Sequence, residues 1–264
     1  MDRSITVTKE LNNSEALAHF VLRQLGITHI MVPHCIKDGV LYMERGTHPS
    51  RLDLDVVRLF QSVLMPMYQH HFDNCSPGIY SFMGSGSVPD GTIYLSHLLH
   101  EVDSILSESA KTHDSDVYLS SYMQFKHACK VIGNRFQPDY CLLHGDLFIG
   151  NILVYQNQFR LIDFEFLRLG PLEVELAFLL CWDLIGHKEL AGYSAYVIGR
   201  DLDALVHSKS ISDDSAFVIK ECLIPMFVIL AWHNASVGIY SDSGSILEGC
   251  SAFWPIYKLG LSLQ

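Results

Sequence analysis

The spacing of apolar residues changes along the chain. Ser4 to Thr8 alternates through β-branched residues and predicts a strand ending at Lys9, after which Asn13 or Ser14 caps a helix that runs through Leu25 and closes at Gly26. Ile30–Val32 and Val40–Met43 read as further strands, the second entered through an Asp38-Gly39 turn, and this β-rich part ends at Gly46. From Ser50 the period becomes helical. Leu52, Val56, Leu59, Phe60, Val63, Leu64 and Met67 line one face, with Pro66 expected to kink or stop the helix. Leu95, Leu98, Leu99, Val102, Ile105 and Leu106 mark a second helix, and Tyr118, Tyr122, Phe125, Cys129 and Ile132 a third. A Gly-, Ser- and Pro-rich loop, Ser76 to Gly91, separates the first two. Pro171 opens another helix, Leu172–Leu184, and the remainder reads as helices with polar turns near Lys188, Ser208–Asp214 and Ser241–Gly244. No internal repeat or low-complexity segment is visible.

Two short apolar runs interrupt the helical part. Ile152–Val154 and Phe159–Ile162, joined by Gln156-Asn157-Gln158, predict a β-hairpin turning at Asn157, in a register that sets Asn151 opposite Asp163. Two oxygen-bearing side chains at the open end of a hairpin suit one hard cation, and Mg²⁺ takes one or two such ligands together with phosphate oxygens. Asp146 lies on the loop leading in, so His144-Gly145-Asp146 with Asn151 forms the His-x-Asp-x-x-x-x-Asn arrangement. In that arrangement the Asp accepts a substrate hydroxyl proton, while the Asn and a later Asp hold metal. A plain turn has no need of these three residues together.

Composition narrows the setting. Lys plus Arg total 18 against 29 Asp plus Glu, a formal net charge of −11, which argues against a general nucleic-acid binder and mildly favours a cationic small substrate. Acidity serving solubility alone is the plainer account. The 7 cysteines are scattered without a Cys-x-x-Cys pair, so neither a disulfide framework nor a zinc ribbon is expected, and a reducing cytoplasm is the natural setting. Met1–Glu10 lacks the apolar core of a signal peptide. The apolar stretch Cys222–Trp232 is too short to span a membrane and reads as a buried helix.

His144-Gly145-Asp146-Leu147 with Gly150-Asn151, then Leu161-Ile162-Asp163-Phe164-Glu165, then Gly170-Pro171 through Glu175-Leu176-Ala177 resembles the aminoglycoside phosphotransferase and choline kinase superfamily of kinase-like small-molecule kinases. The similarity is strongest over residues 140 to 180. It implies that Asp146 is the catalytic base, that Asn151 and Asp163 are Mg²⁺ ligands, and that His144 organises the loop. Glu165 reads first as a solvated carboxylate at the hairpin exit, with a second metal or a cationic substrate as its alternative. At position 175 the family usually carries Asp. The resemblance also implies a Lys9–Glu15 ion pair that positions nucleotide phosphates, and a hinge over Leu41–Gly46 in which Met43, Glu44 and Arg45 lie against adenine. An exposed strand-end lysine and a first-turn glutamate favoured by the helix dipole account equally for that pair. Two strands and a phosphate-covering turn normally precede such a lysine, so residues 1–46 are expected to form a reduced lobe.

Other constellations are weaker. Gly84-Ser85-Gly86-Ser87 could cradle phosphate but reads as an ordinary connection, and His70-His71 with Asp73 and Cys75 reads as an exposed helix end. The expectation is therefore an α+β, protein-kinase-like two-lobe fold, with a reduced β-rich amino-terminal lobe over 1–46 and a large helical lobe over 47–264. ATP or GTP with Mg²⁺ would serve as cofactors for phosphorylating a hydroxyl of a small molecule such as an aminoglycoside, amino alcohol or sugar. No nucleic-acid or membrane partner is expected. The alternative is a non-catalytic kinase-like binding or regulatory module.

Overall fold

The computed structural model describes residues 6–50, 53–70, 140–185 and 191–233. Sequence expectations for the helices around Leu95 and Tyr118, the Ser76–Gly91 loop with its Gly84–Ser87 segment, His71, Asp73 and Cys75, and the turns near Lys188 and Ser241 lie outside the described residues. The chain divides into two compact units, residues 1–88 with 139–175, and residues 89–138 with 176–264.

In the first unit, β1 (Thr6–Glu10), β2 (His34–Lys37) and β3 (Val40–Glu44) form an antiparallel sheet with β3 in the middle. Asp38 and Gly39 connect β2 to β3 with φ of 53° and 76°. Positive φ at both central residues is the two-residue hairpin geometry that Asp-Gly favours, and it sets Lys37 opposite Val40. Lys9 lies inside β1, paired with Leu41, and the strand runs on to Glu10, where the alternation alone ended it at Lys9.

Helix α1 (Asn13–Gln24) is capped by Asn12, whose side chain accepts from the Glu15 N–H at 2.7 Å. The cap thus falls one residue before the expected Asn13 or Ser14. At the other end Gly26, at φ 73°, closes a Schellman motif in which Ile27 N–H donates to Leu22 O and Gly26 N–H to Arg23 O, both at 3.1 Å. That sharp exit delivers the chain to a 3₁₀ turn at Thr28–Ile30. Ile30–Val32 is therefore not the strand expected from its apolar run. These residues are buried, and Met31 makes a single parallel bridge to Leu161.

Asp55 caps α2 (Val56–Leu59), which continues without a break through a π turn, Phe60–Leu64, into α3 (Met65–Tyr68). Pro66 does not stop this helix, which runs on to Tyr68. In the π turn Met65 N–H reaches back to Phe60 O, and the widened turn precedes the residue that has no N–H to give. Val56, Leu59, Phe60, Val63, Leu64 and Met67 are all buried, as their spacing predicts.

Two further pairs complete the unit. β4 (Tyr140–Leu143) pairs with β7 (Arg168–Pro171), and β5 (Ile152–Tyr155) with β6 (Gln158–Leu161). Helix α4 (Leu172–Ile185) follows β7 directly and carries the chain into the second unit after Glu175. There, α5 (Ala191–His207) buries Val197, Ile198, Leu202 and Leu205, and α6 (Asp213–His233) buries Ala216, Ile219, Cys222 and Leu223. Ser212 accepts from Ser215 N–H at 3.0 Å ahead of Asp213 and Asp214, so hydroxyl cap and first-turn acids both favour the start of α6. Cys181 of α4 donates its thiol to Leu223 O at 3.2 Å. No helix among the described residues is long and apolar enough to cross a membrane.

Candidate active site

The β5–β6 hairpin is present, with a tighter turn than the apolar runs suggested. Gln156 and Asn157, at φ 48° and 59°, form the whole two-residue turn, and Gln158 already pairs with Tyr155. Continuing this register sets Asn151 opposite Ile162, whose N–H donates to Asn151 O at 3.1 Å. Asn151 thus does not stand opposite Asp163. Asp163 comes one residue later in a left-handed conformation, φ 64°, unusual for a residue with a side chain.

Asn151 belongs instead to Asp146. A 3₁₀ turn at Ile149–Asn151 leads from the loop into β5, and the Asn151 Nδ2 donates to the Asp146 main-chain oxygen at 2.8 Å and to Asp146 Oδ2 at 3.1 Å. Both amide hydrogens are thereby used, and Asn151 Oδ1 is left as an oxygen donor. Burial raises the Asp146 pKa above its ordinary value; the Asn151 hydrogen bond opposes this, while Asp163 and Glu165 add to it. A carboxylate of raised basicity is better matched to accepting a hydroxyl proton near neutrality.

His144 ties the loop to the hairpin. Its buried ring places Nε2 2.8 Å from Ile162 O, and a carbonyl only accepts, so Nε2 carries the hydrogen and Nδ1 accepts from Asp146 N–H at 3.4 Å. Burial lowers the His144 pKa to about 4, so the ring is neutral at physiological pH. Gly145, at φ 87°, is required here: a Cβ would sit 1.9 Å from Phe166 O.

Beneath the loop lies Glu175, buried in the first turn of α4. It accepts from Gly145 N–H at 2.6 Å, His144 N–H at 3.2 Å and the Tyr68 hydroxyl at 3.0 Å. Burial raises its pKa against the pull of these bonds. The Tyr68 partner was hidden in the sequence, where it reads only as the end of an apolar helix. The Glu175 carboxylate was visible there, but not its position under two loop amides.

Lys9 joins the sheet to the hairpin. Its Nζ is 2.7 Å from Asp163 Oδ1 and 3.0 Å from Glu15 Oε2. Burial pulls the Lys9 pKa down, but hydrogen bonding and attraction to Asp163 and Glu15 outweigh it and the net shift is upward. Glu15 is fully buried; burial pushes its carboxyl up while Lys9 pulls it back. Its Oε1 has no hydrogen-bond partner. Asn12, not singled out in the sequence, uses its second side-chain function here: Nδ2 donates to Glu165 Oε2 at 2.6 Å, tying the start of α1 to the segment after Asp163.

The structure thus gathers Lys9, Glu15 and Asp163 as one set and Asp146, Asn151 and His144 as another, and the main chain of Ile162, bonded to Asn151 and His144 and followed by Asp163, makes them one group. Met43, Glu44 and Arg45 are not joined to it by a hydrogen bond or ion pair among the described residues. Met43 pairs with Val7 and His34, Glu44 N–H donates to Pro33 O at 3.1 Å, the Glu44 carboxylate accepts from the Tyr155 hydroxyl, and Arg45 is exposed just beyond β3. Thr47 then exchanges main-chain hydrogen bonds with Val154, at 3.1 and 2.7 Å, so the segment after β3 is fastened to the hairpin.

Asp163 and Asn151 fit a magnesium ion by their chemistry. Both offer hard oxygen, Asn151 Oδ1 is not consumed by the Asp146 contact, and Asp163 binds Lys9 through only one carboxylate oxygen. Among the described residues no cluster of three or more His, Cys, Asp or Glu could hold a metal alone, so phosphate and water would have to complete the shell.

Residues 122–205 match the phosphotransferase enzyme family. That segment contains the His144–Asp146 loop, the hairpin and Glu175. The structure is similar to an ethanolamine kinase from Plasmodium vivax, at TM-score 0.55 and 17% identity, covering 97% of this chain and 77% of the other. An aminoglycoside phosphotransferase from Alicyclobacillus acidocaldarius matches at TM-score 0.53 and 15% identity, with 97% and 84% covered. A glucosamine kinase in complex with glucosamine, ADP and inorganic phosphate matches at TM-score 0.57 and 13% identity, with 98% and 78% covered. The fold is that of the kinase-like small-molecule kinases. In fold and in the matched segment the chain resembles the aminoglycoside phosphotransferase and choline kinase superfamily, as its motifs implied. No curated protein sequence matches it.

Proposed function

We propose that this protein transfers the γ-phosphoryl group of a nucleoside triphosphate to a hydroxyl of a small molecule. The observation that carries the reading is the contact between Asn151 and Asp146, within one group that also holds Asp163, Lys9 and Glu15. Phosphoryl transfer needs little covalent chemistry from a protein. It needs an oriented base, a metal-holding pair and a cation for the phosphates.

Asp146 supplies the base. Its carboxylate is oriented by Asn151, its N–H by the His144 ring, and the two residues before it by Glu175, so the acceptor hydroxyl meets an oxygen whose direction is set before it binds. Asp163 and Asn151 Oδ1 would hold Mg²⁺, which when bound neutralises charge developing on the phosphate oxygens. Lys9, braced by buried Glu15, would take a phosphate oxygen in exchange for Asp163, one anionic partner for another. ATP or GTP would serve as donor, with the backbone of Met43–Arg45 facing the base. The acceptor would be an amino alcohol, an amino sugar or an aminoglycoside, the compound classes in the names of the similar kinases.

The test is consumption of ATP and of GTP with Mg²⁺ against a panel of amino alcohols, amino sugars and aminoglycosides. Acceptor-dependent turnover is expected, and Asp146→Asn should lower kcat at least about a hundredfold with nucleotide affinity kept. Unchanged turnover in the variant would remove Asp146 as the base. Nucleotide binding with no transfer to any hydroxyl would instead indicate a binding module.

A further inference from the structure

Away from this group, a cleft of about 350 Å³ opens where the end of α1, the 28–34 segment and β6 meet. Its polar lining includes Arg23, Arg160, His29 and His34. Met31, Val32 and Pro33 supply an apolar wall. Among the described residues no acidic side chain lines it, in a protein whose formal net charge is −11. Two guanidinium groups, with imidazoles beside them and no carboxylate between, leave the cleft positively charged and rich in hydrogen-bond donors, the complement of an anion.

Neither arginine is consumed elsewhere. Arg23, in the last turn of α1, makes no hydrogen bond or ion pair among the described residues. Arg160 donates to Phe159 O at 3.0 Å and to the Gln158 side chain, which leaves part of its five-donor fork for a ligand. Forked guanidinium donors pair with carboxylate or phosphate oxygens, and a phosphomonoester, with about −1.5 to −2 charge at pH 7 and three acceptor oxygens, can engage two forks at once. The volume exceeds that of a phosphate ion and matches the lower range of small-molecule pockets, and the Met31–Pro33 wall can cover a carbon skeleton.

We infer that this cleft is a second ligand site, separate from the Asp146 group, for a small molecule bearing a phosphomonoester. The phosphate lies between Arg23 and Arg160 and the organic body against Met31–Pro33. Occupancy reaches the hairpin directly. Arg160 is on β6, three residues before Asp163, and Met31 is bridged to Leu161, so a ligand joining Arg23 to Arg160 braces the end of α1 against the strand that leads to Asp163.

Calorimetric titration of the full chain with ribose 5-phosphate, and separately with inorganic phosphate, at physiological ionic strength tests the site. Ribose 5-phosphate should bind with Kd below about 1 mM and more tightly than inorganic phosphate. Arg23→Gln and Arg160→Gln should each weaken it at least about tenfold, and Lys9→Gln should leave it unchanged. Arg23 is exposed at a helix end, so Arg23→Gln remains informative if Arg160→Gln disturbs the hairpin. Absence of binding, equal affinity for the bare ion, or binding lost in Lys9→Gln and kept in Arg23→Gln would each overturn the assignment.

Discussion

Asn151 grips Asp146 twice, at the main-chain oxygen and at the carboxylate, so the residue just before β5 sets the direction of a side chain five positions earlier. An amide that spends both hydrogens on one neighbour has its oxygen pointed elsewhere. The contact therefore gives one residue two tasks, orienting the base through nitrogen and offering metal an oxygen.

Asn151→Leu separates those tasks from packing, because the side chain is buried and similar in size. Acceptor turnover should fall at least about a hundredfold, and Mg²⁺ should lose part of its effect on nucleotide affinity. Calorimetry with and without Mg²⁺ reads the second effect. An unchanged metal dependence would show that Asn151 acts on Asp146 alone.

Lys9→Met should destabilise the fold as well as weaken nucleotide binding, since it leaves the fully buried Glu15 carboxylate without its cation. Lys9 is about one-third exposed, so the loss should be about 2 kcal/mol, below that of a fully buried pair. Denaturant titration measures it. Adding Glu15→Leu should restore most of the stability, because the uncompensated charge goes with it.

Glu175→Gln replaces one of the two acceptor oxygens by an NH2 that cannot accept, leaving a single oxygen for Gly145 N–H, His144 N–H and the Tyr68 hydroxyl. At least one buried donor then loses its partner, at about 1–3 kcal/mol. The loop that carries Asp146 should loosen with it. Thermal unfolding should shift down and kcat should fall with little change in the nucleotide Kd; a variant with parental kcat would show that Glu175 serves stability only.

His19 gives a pH signature. It is buried against His34, with ring centroids 4.5 Å apart, both its ring nitrogens lack partners, and burial lowers its pKa to about 4. The unfolded chain takes up that proton below pH about 6.5 and the folded chain only below about 4, so this group's contribution to stability is full above 6.5 and is lost as pH falls towards 4. His19→Leu should raise stability at pH 7 by about 1–2 kcal/mol, the scale of two unsatisfied buried atoms. It should also make stability less steep between pH 6.5 and 4. His144 is common to both proteins and cancels, so the difference between their pH profiles reports His19 together with its contact to His34. Parallel profiles would refute the neutral, unpaired state of His19.

What could be read along the chain was what short-range chemistry determines. The hairpin was legible because two apolar runs flank polar residues. The start and end of α1 were legible to within one or two residues because Asn13-Ser14 and Gly26 are local signals, although the cap itself is Asn12. The His144–Asp146–Asn151 spacing pointed to its chemistry because all three lie on one loop and the strand it enters. Local reading failed where a distant partner or a backbone choice intervened. Ile30–Val32 has strand composition, but Gly26 turns the chain out of α1 so abruptly that only Met31 meets a strand. Asn151 meets Asp146 and not Asp163 because two residues, not three, adopt positive φ in the turn, and one residue of slip redirects every pair. Tyr68 and Glu175 are 107 positions apart, and Lys9 and Asp163 are 154 apart. Only tertiary packing brings such groups within 3.0 Å, because each contact is stabilised by burial that no segment provides alone.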